Sequence, residues 1–142
     1  MKRALLALGF AALAAPVFAQ APGATQIEVE AKPLIDAYIA LFNKGDAAGL
    51  AKDVYVSADT AAQDATFKAL RADSFGKLDV YSAAFCAVDG EHGKAILKFA
   101  RIYTFGGKMN EDEAKVFDLV KAPAGWRIGE EADAPFETAL SC

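Results

Sequence analysis

The order of hydrophobic and polar positions divides the chain into a helical first half and a strand-rich second half. After Pro33, apolar residues recur at helical spacing, which predicts an amphipathic helix that ends at Gly45. Pro33 fits the first turn of this helix, where its missing N–H costs nothing, and residues 27–32 form either a preceding helical turn or a short extended lead-in. The apolar stripe consists of Leu34, Ile35, Tyr38, Leu41 and Phe42.

Two further helices are predicted before the sequence changes character. Asp46 can cap a short helix that runs through Asp53. Thr60 and Gln63 match a capping box, with Thr first and Gln three residues later, which predicts a third helix that ends near Arg71.

From Leu78 onward, runs rich in Val, Ile, Phe and Tyr alternate with turn-forming Gly, Pro and Asp. The short connections predict antiparallel hairpins in a meander. Because the helices precede the strands, we expect an α+β fold in which N-terminal helices pack on one face of a four-stranded antiparallel sheet. The predicted strands cover residues 78–88, 95–105, 114–120 and 126–130.

The first 19 residues have the three features of a secretory signal peptide. Lys2 and Arg3 precede an uncharged core rich in Ala and Leu over residues 4–15, and small residues follow at the cleavage positions up to Ala19. This core is shorter than the roughly 20 residues that a membrane-spanning helix needs. We therefore expect cleavage after Ala19, one domain over residues 20–142, a periplasmic or secreted location and no membrane anchor after cleavage. A buried N-terminal helix is the alternative interpretation.

Charge and motif content exclude several classes of function. The chain has 15 basic and 19 acidic side chains, a net charge of −4, and loss of Lys2 and Arg3 leaves 13 against 19, or −6. An acidic surface repels phosphate backbones and anionic lipids, so no nucleic acid is expected as a partner. His92 is the only histidine, and neither a calcium loop nor a phosphate-binding glycine loop is present. We therefore expect no metal and no cofactor.

Cys86 and Cys142 are the two cysteines of the chain. An even number of cysteines in an exported protein favours a structural disulfide, which would fasten the C-terminal tail to the sheet. The alternative is a buried thiol at Cys86 and a free thiol at Cys142.

Two charged residues stand in apolar rows of the predicted strands. Arg101 shares a strand face with Phe99 and Tyr103, and Asp118 shares a face with Val116. Because an isolated buried charge is costly, such residues are either paired or functional. Arg101 and Asp118 are expected either to pair across adjacent strands or to line a pocket for a polar ligand group.

Two segments resemble the nuclear transport factor 2-like superfamily. Residues 38–50 are similar to its opening helix with an N-x-G-D turn, and residues 124–128 contain the Gly-Trp-Arg-Ile run of its late strands. The resemblance implies a cone-shaped fold in which a curved antiparallel sheet wraps the long helix and leaves an open pocket. Members include ketosteroid isomerases, polyketide cyclases, dehydratases and many binding or scaffolding modules, so the fold alone does not select a function.

Tyr38 resembles the tyrosine that donates a hydrogen bond to the oxyanion in the ketosteroid isomerases. That chemistry also needs a carboxylate base near the pocket mouth. Asp59 lies in the corresponding region, but it lacks the neighbouring proline and is better explained as a helix-start residue. The second oxyanion donor of the ketosteroid isomerases cannot be placed on this sequence. Tyr38 can also be a core aromatic residue whose hydroxyl is hydrogen-bonded within the fold.

We therefore expect an exported small ligand-binding or accessory module without a clear catalytic set, whose partner is a small apolar ligand or a protein. Two alternatives stay open: a lyase or isomerase that acts on a small hydrophobic substrate through Tyr38, and a structural homodimer packed through the open sheet face. No catalytic residue is assigned. The candidate pocket residues are Tyr38, Phe42, Phe99, Arg101, Tyr103 and Asp118.

Overall fold

Two helices precede one four-stranded sheet in the computed structural model, which describes residues 25–57, 76–103 and 110–142. The strands pair antiparallel in the order β1-β2-β3-β4, so the predicted α+β meander is confirmed. The predicted signal peptide, the predicted third helix and Asp59 lie outside the described residues. The elements are α1 (Gln26–Lys44), α2 (Ala47–Asp53), β1 (Lys77–Ala87), β2 (His92–Ile102), β3 (Glu111–Ala122) and β4 (Gly125–Ala134).

Helix α1 begins earlier than the hydrophobic pattern indicated because it is capped at Thr25. The Thr25 hydroxyl accepts a 3.3 Å hydrogen bond from the backbone N–H of Glu28. At the other end Gly45 adopts the left-handed conformation, with φ 68°, and closes the helix as predicted. The expectation that Pro33 lies in the first turn is wrong, since residues 27–32 are helical and Pro33 lies inside α1. Packing of the buried side of α1 against the sheet outweighs the one hydrogen bond that proline removes.

The buried side of α1 packs on one face of the sheet, which we call the inner face; the opposite side is the outer face. Gly93 of β2 permits a close approach, because a Cβ atom there would collide with Cδ1 of Ile27. The Asn43 side chain donates to the Leu78 carbonyl at 3.0 Å and accepts from the Leu78 N–H at 2.8 Å, which fixes α1 to β1. The buried strand residues on the inner face are Leu78, Ala95, Leu97, Phe99, Phe117, Leu119, Trp126 and Ile128.

A β-bulge changes which residues of β4 face the helix. Ile128 pairs with Leu119 and Glu130 pairs with Asp118, so Gly129 is one extra residue in β4. Side chains alternate between the faces of a strand, and one extra residue therefore reverses the alternation. Beyond the bulge, Glu131 and Asp133 lie on the inner face opposite Phe117 and Lys115.

The late strands extend beyond their predicted bounds. Strand β3 begins at Glu111 instead of residue 114, and β4 continues to Ala134 instead of ending at residue 130. The added stretches are acidic, and the bulge at Gly129 interrupts the alternation, so the hydrophobic pattern ends before the hydrogen-bonded ladder does.

Residues 135–142 contact the outer face as a segment without regular secondary structure, which we call the strap. The Phe136 ring lies edge-on to Tyr81 at 5.8 Å between centroids, and Nζ of Lys98 is 5.2 Å from its centroid. Cys142 forms the predicted disulfide with Cys86 of β1. The strap therefore connects the last strand of the sheet to the first. None of the helices in the described part of the chain is long and apolar enough to cross a membrane.

Candidate functional site

A buried hydroxyl group marks the centre of the inner face. Tyr38 of α1 is 0% exposed and lies between Phe42, at 5.8 Å between ring centroids, and Phe117, at 5.0 Å and edge-on. The Tyr38 hydroxyl has no hydrogen-bond partner among the described residues. A buried polar group without a partner destabilises a fold, and such groups are rare. The expectation that a core Tyr38 has a satisfied hydroxyl is therefore not met within the described residues.

Burial raises the pKa of Tyr38 well above its usual value, and the charges of Glu131 and Tyr55 raise it further. The Glu131 carboxylate is also close enough to raise this pKa through a weak hydrogen bond, although the two groups do not meet the distance and angles of a full hydrogen bond. Tyr38 therefore stays a neutral phenol, which can donate its proton to an acceptor.

Glu131 is held in place by donors from two other elements. The Tyr55 hydroxyl donates a 3.0 Å hydrogen bond to Oε2 of Glu131, and Nζ of Lys115 lies 3.5 Å from Oε1. Lys115 also pairs with Asp133 at 2.9 Å. The side chains of Lys115 and Glu131 are 11% and 7% exposed, so these charges are shielded from solvent.

Tyr55 reaches the inner face because the chain after α2 pairs with β4. The N–H of Val56 donates to the carbonyl of Ile128 at 2.9 Å, and the N–H of Ile128 donates to the carbonyl of Val54 at 2.9 Å. This short parallel pairing fixes the backbone on both sides of Tyr55.

Arg101 and Glu113 form a second charged pair on the same face. Nε and Nη2 of Arg101 donate to the two carboxylate oxygens of Glu113 at 2.7 and 2.8 Å, a bidentate geometry. The guanidinium carbon lies 5.4 Å from the ring centroid of Phe99 and 6.0 Å from that of Phe42. Burial lowers the pKa of Arg101, but the hydrogen bonds and charge of Glu113 outweigh burial and the pKa is raised.

Tyr103 follows β2 beside this pair. Its backbone N–H donates to the side-chain oxygen of Asn110 at 3.3 Å. Burial raises the pKa of the Tyr103 phenol, the charge of Arg101 lowers it, and the charge of Glu113 raises it. The ring therefore lies within the electrostatic field of the Arg101–Glu113 pair.

Of the six predicted pocket residues, Asp118 alone is separated from the others. Its carboxylate is on the outer face, 3.5 Å from Nζ of Lys94. The expected pair between Arg101 and Asp118 is wrong, because Arg101 binds Glu113. Strand β3 has apolar residues on both faces, and Phe117 faces the helix while Val116 shares the outer face with Asp118. The hydrophobic pattern alone does not distinguish these two faces.

Six residues of the site are not among the predicted pocket residues: Tyr55, Glu113, Lys115, Phe117, Glu131 and Asp133. Glu113 and Lys115 alternate with Phe117, and this spacing places all three on one face once Phe117 is known to be buried. Glu131 lies beyond the predicted end of the last strand, on a face that depends on the bulge. Tyr55 follows a short helix, and no hydrophobic pattern around it marks it as a site residue. Within residues 25–57, 76–103 and 110–142, no group of three or more metal-ligating side chains occurs.

Comparisons with known proteins give similarity in structure alone. No protein-family model and no curated protein sequence matches the chain. A nuclear transport factor 2-like protein of unknown function from Shewanella oneidensis MR-1 is similar with a TM-score of 0.55 and 12% identity, over 74% of this chain and 96% of that chain.

Two structures from Novosphingobium aromaticivorans are also similar. A proposed aromatic ring hydroxylase has a TM-score of 0.61 and 14% identity, over 86% of this chain and 95% of its own. A proposed scytalone dehydratase has a TM-score of 0.51 and 13% identity, over 79% of this chain and 94% of its own. The chain therefore has the nuclear transport factor 2-like fold.

Proposed function

We propose that this protein is an exported ligand-binding module whose inner face holds a small, uncharged and mostly apolar molecule. The observation that carries the proposal is the buried Tyr38 hydroxyl, which has no hydrogen-bond partner among the described residues. A ligand that supplies a carbonyl or ether oxygen at this point would satisfy the hydroxyl.

The surroundings of Tyr38 favour an apolar ligand body. Phe42, Phe99 and Phe117 are buried on the same face, and their rings offer packing to a planar or aliphatic group. The raised pKa of Tyr38 keeps its phenol protonated, so the ligand atom that meets it is an acceptor.

The charges of the site disfavour an anionic ligand. Arg101 and Lys115 supply two positive charges, and three carboxylates face them. These five groups sum to −1, and both cations are engaged in ion pairs. An anion would enter a negative environment and would have to displace one of these carboxylates. The three carboxylates belong to Glu113, Glu131 and Asp133.

The export part of the proposal rests on the leader pattern and the disulfide. Residues 1–19 have the layout of a secretory signal. Disulfides such as Cys86–Cys142 form and persist in oxidising compartments, among them the bacterial periplasm. A periplasmic or secreted location accounts for both features.

A lyase or isomerase is the second candidate. It is favoured because a neutral phenol, that of Tyr38, lies near a carboxylate, that of Glu131. Tyr38 could polarise a substrate carbonyl while Glu131 moves a proton beside it. Two similar structures are proposed enzymes, a hydroxylase and a dehydratase. Against this candidate, both oxygens of Glu131 are already engaged, by Tyr55 and by Lys115. A homodimer packed through the outer face is less favoured, since the strap occupies part of that face.

Native mass spectrometry of the protein purified from the periplasm of its own host tests the proposal. The wild-type protein is expected to carry an added mass that is lost on denaturation. Tyr38→Phe should lose most of that mass, whereas Tyr81→Phe, at an exposed tyrosine on the outer face, should retain it. A bare mass in all three proteins, or equal retention by Tyr38→Phe, would contradict the proposal.

The same material separates binding from catalysis. The released molecule is returned to excess wild-type protein and followed by mass spectrometry over time. An unchanged molecule supports the binding module, and its chemical conversion, abolished by Glu131→Gln, would establish the enzymatic alternative instead.

A further inference from the structure

Part of the outer face is buried although neither α1 nor α2, the helices of the described residues, covers it. Ile96, Ala100 and Ala114 alternate away from the inner-face residues, yet they are 4%, 6% and 0% exposed. One face of an antiparallel sheet commonly meets solvent, so burial here requires covering atoms. The strap contacts this face at Tyr81 and Lys98, and Lys98 is the cross-strand neighbour of Ala114.

Another part of the outer face forms an open groove of about 560 Å³. Its lining includes Lys94, Asp118, Val120 and Glu130. Lys94 is the cross-strand neighbour of Cys86, so the disulfide lies at the boundary between the groove and the covered part.

Besides the disulfide, the strap is held within the described residues by side-chain packing, since Phe136, Thr138 and Leu140 are half-buried. Among the described residues, its backbone hydrogen bond is internal, from the N–H of Thr138 to the carbonyl of Pro135 at 3.0 Å. Phe136 contributes the ring contacts with Tyr81 and Lys98. Cys142 at the end of the strap is an exposed residue, so the disulfide lies at the protein surface, where a dithiol can approach it.

The hydrophobic core does not depend on the strap. Its buried members come from α1, α2, the segment after α2 and the four strands, and no strap residue is among them. Asn43 and Leu78 connect α1 to β1 by hydrogen bonds that also do not involve the strap. Loss of the strap contacts therefore leaves the attachment of the helices intact.

We propose that the Cys86–Cys142 disulfide is a redox latch: its reduction by a dithiol frees the strap and extends the open outer face from the groove to Ala100. A thiolate of the dithiol attacks Sγ of Cys142, and Cys86 leaves as a thiolate that takes up a proton. The second thiol of the dithiol then displaces Cys142. In total two electrons and two protons pass to the cysteines, and the dithiol becomes a disulfide.

Methyl NMR with a soluble nitroxide radical tests the latch before and after addition of dithiothreitol. Reduction is expected to raise the paramagnetic relaxation of the Ile96, Ala100 and Ala114 methyl groups severalfold. Leu97 on the inner face should stay protected, and Val88, an exposed residue of the groove, serves as the accessible reference in both states. The double variant Cys86→Ser/Cys142→Ser should reproduce the reduced pattern without any reductant.

Two results would overturn the inference. If the outer-face methyl groups stay protected in both the reduced protein and the serine variant, the strap is held by its other contacts. If Leu97 becomes accessible together with the outer face, the disulfide maintains the whole fold and is a structural bridge.

Discussion

Trp126 and Glu30 connect β4 to α1: the indole Nε1 donates a 3.0 Å hydrogen bond to Oε2 of the carboxylate. Lys121 donates to the same oxygen at 2.9 Å, and the Gln26 side chain donates to Oε1 at 2.8 Å. The hydrogen bonds from Gln26, Lys121 and Trp126, in that order, lower the pKa of Glu30 to about 2. The first turns of α1 and the last hairpin of the sheet therefore meet at one ionised group.

This low pKa predicts an acid-dependent loss of stability. A carboxylate whose pKa is lower in the folded state than in the unfolded state stabilises the fold above its unfolded pKa, which is about 4.3 for Glu. The contribution is lost as the pH falls from there through about 2, the folded pKa of Glu30. Glu30→Gln should lower the melting temperature at pH 7 and reduce its fall over this range, as measured by circular dichroism. Glu28→Gln, an exposed position in the same helix, is the control and should behave as wild type.

Tyr38→Phe should stabilise the ligand-free protein. The substitution removes a buried hydroxyl without a partner among the described residues and keeps the ring contacts with Phe42 and Phe117. We expect urea unfolding to give a gain of about 1 kcal/mol. Tyr55→Phe removes a hydrogen bond to Glu131 and should lose about 2 kcal/mol. A destabilised Tyr38→Phe protein would mean that the hydroxyl has a partner in the fold.

Gly93→Ala should destabilise the packing of α1 on the sheet. The added methyl group would collide with Ile27, whose side chain is buried in the core. Overpacking of this kind lowers the free energy of unfolding by about 1–3 kcal/mol. Gly90→Ala in the neighbouring turn meets open space and is the matched control. Equal stability of the two variants would show that α1 shifts without cost.

The Arg101–Glu113 pair should show a larger coupling energy than an exposed pair on the other face. Its bidentate hydrogen bonds are largely buried, and a double-mutant cycle with Arg101→Met and Glu113→Gln is expected to give about 2 kcal/mol. The Lys94–Asp118 pair is more exposed and should give less than about 1 kcal/mol. Coupling energies of the same size would mean that burial does not strengthen the inner pair.

Helices α1 and α2 and the sheet topology follow from the sequence because their signals are local. The apolar stripe through Tyr38 and Phe42 and the helix end at Gly45 predict α1, and the turns between the strands predict the meander. The start of α1 is missed because Pro33 gives a helix-start signal, although the actual cap is Thr25.

The candidate site is predicted less completely because it depends on contacts between distant segments. Tyr55 and Glu131 are 76 positions apart and meet only when the segment after α2 pairs with β4. Arg101 is recognised as a charge in an apolar row, but its partner depends on which face of β3 meets the helix. A single sequence without its register does not contain that information.

The extra residue at Gly129 has a consequence for how such a site can be gained or lost in evolution. If the ladder closed without the bulge, with Gly129 opposite Asp118, Glu131 and Asp133 would turn to the outer face and Glu130 would turn to the inner face. One change in backbone pairing would therefore replace two carboxylates of the inner face by one, without a change in any acidic residue. Relatives that share this architecture can differ in the charge of their interiors through the presence or absence of such a bulge.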